Sequence, residues 1–221
     1  MNSKIKKIVG IGIFTAIVLV LQFLGGGIKF GMFSISLVLL PIVVGAAVYG
    51  WQAGAWLGLT FGVAVMLSGD AAAFLAVDPI GTVITVLVKG TAAGLCSGLA
   101  YKFVLFLLNR TSKKRIQVIK KQYGIGECCE DGVYKYISRN NRYLSVIVAA
   151  IVCPIVNTGI FLIGCKLFFF ETISQWGAAA GFENAASYMF IGLAGVNFLI
   201  ELGTNLLLSP VIVRLISYAK K

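Results

Sequence analysis

Leu144 to Phe170 reads LSVIVAAIVCPIVNTGIFLIGCKLFFF, a long apolar run whose one charge is Lys166. A hydrocarbon core about 30 Å thick is crossed by roughly 20 apolar residues of helix, so this run is long enough to span a bilayer. Working outward, the same reading finds apolar runs at 8–24, 32–49, 52–67, 80–108 and 188–216. The expected fold is therefore an all-α membrane protein of six transmembrane helices, a single domain over residues 1–221. The runs 32–49 and 52–67 are short for a span, and Gly50 and Trp51 between them must sit in a tight turn. One of the two need not cross fully. The last three runs exceed the core thickness and imply tilt or protrusion. For the first run a cleaved signal peptide competes, but it is long for such a segment and no clear A-x-A-type site follows.

Composition agrees with a bilayer. The chain is 59% hydrophobic and 12% charged, with mean hydropathy +0.94, whereas soluble domains carry about a quarter charged residues. The net charge of +11 raises the question of nucleic acid. Its distribution argues against that, because sixteen of the nineteen basic residues fall at the two ends and in or beside the polar stretch 109–143. Excess Lys and Arg marks cytoplasmic segments, so both termini and a basic loop over 109–143 are expected inside. Ser68 to Pro79 and Glu171 to Asn184 are then connecting segments on the outside.

No catalytic or cofactor motif emerges. There is no G-x-x-x-x-G-K-[ST] phosphate loop, no G-x-S-x-G and no H-E-x-x-H. If uptake is driven by ATP, the ATPase is another chain. Histidine is absent, and the five cysteines are odd in number, with Cys96, Cys153 and Cys165 inside apolar runs, which is not a disulfide framework. Cys128 and Cys129, flanked by Glu127, Glu130 and Asp131, read as free thiols in a solvated loop. Metal ligands want other spacings, usually with histidine.

Polar residues at membrane depth carry the functional signal. Lys89 lies about ten residues into the fourth run and Glu201 about thirteen into the sixth. A charge at mid-bilayer costs at least ~2.5 kcal/mol, so each must pair or line a wet cavity. Their depths match, which leaves two readings open: an ion pair with each other, or contact with a polar group of a substrate. Asn197 and Asn205 flank Glu201 at spacing four and share its helix face. Asn157 and Thr158 follow Pro154, and a proline removes a backbone donor and frees a carbonyl. Asn157 and Asn197 are expected to line a cavity, and Asn205 to bond between helices. Trp176, in the outer segment, is an interfacial anchor or a lid.

Small residues recur every four positions: Gly12 and Ala16, then Gly54, Gly58 and Gly62, then Gly90, Gly94 and Gly98. Each set makes a smooth stripe for a close helix. For the first two stripes packing within the chain competes with docking of a partner membrane protein, and for the third packing within the chain is expected.

These features together resemble the substrate-binding (S) components of energy-coupling factor (ECF) vitamin transporters. The likeness rests on the six-helix layout, the Gly12/Ala16 pair, the segment Leu39 to Gly62 (LLPIVVGAAVYGWQAGAWLGLTFG), Asn157-Thr158 and the Asn197/Glu201/Asn205 face. The family's Ala-x-x-x-Ala on helix one is Gly12-x-x-x-Ala16 here. The resemblance implies a subunit of a bacterial cell membrane that captures a water-soluble vitamin from outside. It would then dock through its first three helices on a transmembrane scaffold subunit bound to two ATPases, which makes Gly12, Ala16, Gly54, Gly58 and Gly62 docking candidates. It also places the vitamin between helices four to six and the outer loops, with Lys89, Asn157, Thr158, Asn197, Glu201 and Trp176 as candidate contacts. The Leu39 to Gly62 stretch is similar to the pantothenate and folate branch. A carboxylate suits Lys89, and the few aromatics among these candidates favour pantothenate. The alternative is a self-sufficient secondary transporter or channel for a small polar solute. A membrane enzyme is disfavoured by the missing motifs.

Overall fold

The computed structural model describes residues 3–25, 29–30, 33–34, 37–123 and 127–219. It is helical apart from a two-residue antiparallel pairing of β1 (Lys29–Phe30) with β2 (Phe33–Ser34). The helices in the first half are α1 (Ser3–Gly25), α2 (Leu39–Tyr49), α3 (Trp51–Leu67) and α4 (Ala72–Leu75). The long pair α5 (Pro79–Tyr123) and α6 (Glu127–Phe168) follows. α7 (Phe170–Ala179), α8 (Ala185–Ser187), a π-helical stretch Tyr188–Gly195, α9 (Val196–Leu207) and α10 (Ser209–Ala219) complete the chain.

Among the described residues four helical segments are long and apolar enough to cross a membrane: Lys4–Gly25, Pro79–Ser112, Ile137–Phe168 and Ala185–Leu207. The two shorter apolar helices, α2 and α3, have 11 and 17 residues. At 1.5 Å per residue the 11 residues of α2 cover only about 16 Å. α2 is buried from Leu39 through Ala47 save Leu40, as a helix apolar all round must be; it is the centre of the bundle. It also begins seven residues later than the run 32–49 suggested. The turn at Gly50 is tight as expected, with φ 99°, a conformation open to glycine and unfavourable for other residues.

Two expected loops are corrected. The basic stretch 109–143 is helix on both sides of residues 124–126, continuing α5 and starting α6. No Gly or Pro interrupts residues 99–123, and Lys, Arg, Gln and Leu are good helix formers. With 45 residues α5 is about 67 Å long, more than twice a hydrocarbon core. Asn141 Nδ2 fastens the pair where it leaves the apolar segment, donating to Asn109 Oδ1 at 2.9 Å and Ser112 Oγ at 3.0 Å. The outer segment 171–184 likewise contains most of α7. The side chains of Cys128 and Cys129 lie outside the described residues.

α5 packs along α3 on one side and α6 on the other, and α9 closes against α6. The α3–α5 seam is made by glycines. A Cβ on Gly58 would strike the Gly90 carbonyl, one on Gly54 would strike that of Gly94, and one on Gly62 would lie 2.9 Å from Val86 O. The sixth run is not one straight helix: it starts π-helical and breaks at Leu208, where Ser209 and Pro210 open α10. Proline is at home in a first helical turn.

Candidate functional site

A cavity of about 60 Å³ opens where α1, α3, the segment around α4, α5, α6 and α9 meet. Its polar wall contains Lys89 from α5, Asn157 from α6, and Asn197 and Glu201 from α9. A second space of about 30 Å³ adjoins it, sharing Lys89, Asn157 and Asn197 and adding Thr158. Five of the six expected contacts are thus brought together. Trp176 is not among the lining residues. It stands one ring away, edge-on to Phe74 at 5.5 Å between centroids, and Phe74 does line the cavity.

Local sequence explains the placement. α9 turns Asn197, Glu201 and Asn205 inward while Val196, Leu199 and Leu207 face out. The wide π turn ends two residues before Asn197, and such turns gather at functional sites. Asn197 Nδ2 donates to Glu201 Oε1 at 3.4 Å, a long bond, and Glu201 Oε2 has no hydrogen-bond partner. Glu201 is 2% exposed.

Lys89 and Glu201 share the cavity without pairing: among the described residues no ion pair joins them. Instead the Lys89 ammonium sits 5.2 Å from the Phe161 ring centre and 5.9 Å from that of Phe61. Both distances lie within cation–π range, where desolvated contacts are worth about 2 kcal/mol. The rings make a half-buried cation tolerable while leaving its three N–H donors for another group.

The apolar wall was not foreseen. Phe61, Phe74, Phe161 and Phe169 all line the cavity, so the premise of few aromatics, which favoured pantothenate, does not hold. Gln22 on α1 was also missed: its Nε2 donates to Asp70 Oδ2 at 2.6 Å and Ser68 Oγ at 3.2 Å, and both Gln22 and Asp70 line the cavity. A glutamine inside an apolar run was the available signal.

The docking candidates divide. Gly54, Gly58 and Gly62 are buried against α5, so this stripe is occupied by the chain's own helix and offers no free face to a partner. Gly12 and Ala16 are exposed, on the helix whose apolar stretch is the least buried of the four, 17% against 28–33%.

With the polar groups and the small-residue face in place, comparison with known proteins fits. Residues 6–213 match the family described as ECF transporter, substrate-specific component. The chain belongs to that family. The structure of ThiT from Listeria monocytogenes is similar in fold to this ECF component, with a TM-score of 0.59 and 21% identity over 98% of this chain and 96% of that one. None of the curated proteins matches it.

Proposed function

We propose that this ECF component captures a small water-soluble vitamin from outside a bacterial cell and hands it to a transmembrane scaffold subunit driven by two ATPases. In this reading six helices sit in the cell membrane, both termini face the cytoplasm, and α1 is the docking helix. The observation that carries it is the convergence of Lys89, Asn157, Asn197 and Glu201 on one cavity. Four polar side chains from three helices at membrane depth are costly unless something polar meets them.

The cavity of about 60 Å³ is far below the roughly 300–1,000 Å³ of small-molecule sites. Capture therefore requires it to widen, and the ring cluster of Phe74, Phe169 and Trp176 is the wall that would yield, with Trp176 acting as lid. Pantothenate would satisfy Lys89 through its carboxylate, though its flexible chain would make little use of four phenylalanine rings.

Reconstitution tests the reading. The chain alone in liposomes is expected to bind a vitamin and not transport it, and uptake is expected only with scaffold, ATPases and ATP. Ion-gradient-driven uptake by the chain alone would replace this reading with a secondary transporter.

A further inference from the structure

We infer that the ligand is a flat heteroaromatic ring bearing both an N–H donor edge and a carbonyl or carboxylate oxygen, an inference that rests on the capture reading above. Three observations carry it.

The cavity is walled by four rings from separate parts of the chain: Phe61 on α3, Phe74 on α4, Phe161 on α6 and Phe169 just after it. Phe74 stands edge-on to Phe161 and Phe169, with centroids 5.8 and 5.0 Å away. Rings locked this way present flat, stiff surfaces, and aromatic partners meet such surfaces by stacking or edge contacts. A branched aliphatic ligand would gain less and lose more rotational freedom.

The polar end asks for hydrogen-bond donors. Glu201 Oε2 and Asn157 Oδ1 are both buried and neither has a hydrogen-bond partner, and both side chains line the same cavity. Carboxylate and amide oxygens accept, and a buried acceptor left unpaired is costly. Two neighbouring acceptors match the paired donors of an amino group beside a ring N–H.

Lys89 asks for the opposite. It has three donors and no acceptor, and among the described residues its contacts are the Phe61 and Phe161 rings. An oxygen on the ligand completes it. Donor edge, flat ring and acceptor oxygen then define one molecule spanning from Glu201 to Lys89.

The test is a calorimetric titration of the purified full chain in detergent. One arm uses isocytosine and pterin; the other uses pantothenate, and benzoate serves as a ring with an acceptor but no donor edge. At least one compound of the first arm is expected to bind at least tenfold tighter than pantothenate and benzoate. Glu201→Gln is expected to weaken it a further tenfold or more. Phe161→Leu, which leaves every polar group in place, should weaken the same compound and spare any binding of pantothenate. Tightest binding by pantothenate would overturn this inference and leave the capture reading standing. Tightest binding by benzoate would reject the donor edge. No binding in either arm would overturn both.

Discussion

Asn205 Nδ2 lies 3.4 Å from the carbonyl oxygen of Ala150, four residues before Pro154. In an α-helix that carbonyl would accept the N–H of residue 154, which proline lacks. Asn205 is 1% exposed, so it fills the gap that Pro154 leaves and ties α9 to α6. This is the interhelical role expected for the deepest of the three aligned polar residues.

Asn205→Ala should therefore cost about 1–3 kcal/mol, the usual penalty for stranding a buried polar group. In a Pro154→Ala background residue 154 regains its N–H, and the same change should cost much less. Thermal unfolding of the four proteins in detergent closes the cycle. Equal costs in both backgrounds would mean that Asn205 does not answer for Pro154.

The α3–α5 seam makes a second stability prediction. Because the atoms facing Gly58 are backbone atoms of Gly90 and Thr91, they cannot rotate away, and Gly58→Ala should destabilise by about 1–3 kcal/mol as overpacking does. Gly203→Ala, where nothing lies within 4 Å, should leave stability unchanged or raise it, since alanine favours helix over glycine by about 1 kcal/mol. A Gly58→Ala melting point equal to that of the parent would show the seam to be looser than described.

The sequence disclosed what depends on one residue at a time. Long apolar runs mark helices, and the rise per residue put Lys89 and Glu201 at one depth, which the shared cavity bears out. What stayed hidden depends on partners. The glycines of α3 announced close approach without saying to which helix. In a bilayer the lipid face and the core are both apolar, so nothing in the pattern set Phe61 or Phe161, which look into the cavity, apart from Phe103 or Phe106, which are exposed. The stretch 109–143 was charged enough for a loop, yet charged helix formers suit a solvated helix equally well.

At the polar wall, Lys89→Met keeps the length of the side chain and its packing against Phe61 and Phe161 but removes the donors. Affinity for the tightest-binding compound should fall by about tenfold or more, which corresponds to about 1.4 kcal/mol. Because the native ammonium has no ion-pair partner among the described residues, the variant should fold at least as well as the parent. Unchanged affinity in a folded variant would remove Lys89 from the ligand contacts and leave its ring contacts as its whole role.

In the proposed reading docking is separable from capture, because Gly12 and Ala16 lie on a different face of the chain from the cavity. Gly12 and Ala16 are exposed on α1, and a Cβ on Gly12 would meet nothing within 4 Å, so the chain itself makes no use of that smoothness. Ile13, Ile17 and Val20 surround it with apolar surface, the setting in which small residues let a second membrane helix approach closely. Ala16→Trp should leave ligand affinity intact while ATP-dependent uptake in the reconstituted complex falls by about tenfold or more. Leu207→Trp, at a position on α9 that is 79% exposed, is the matched control and should leave uptake near the parental rate. If Ala16→Trp transports normally, α1 is not the docking helix. If it loses affinity as well, then α1 acts on the cavity itself, and Gln22, which reaches Asp70 from the same helix, becomes the residue through which it does so.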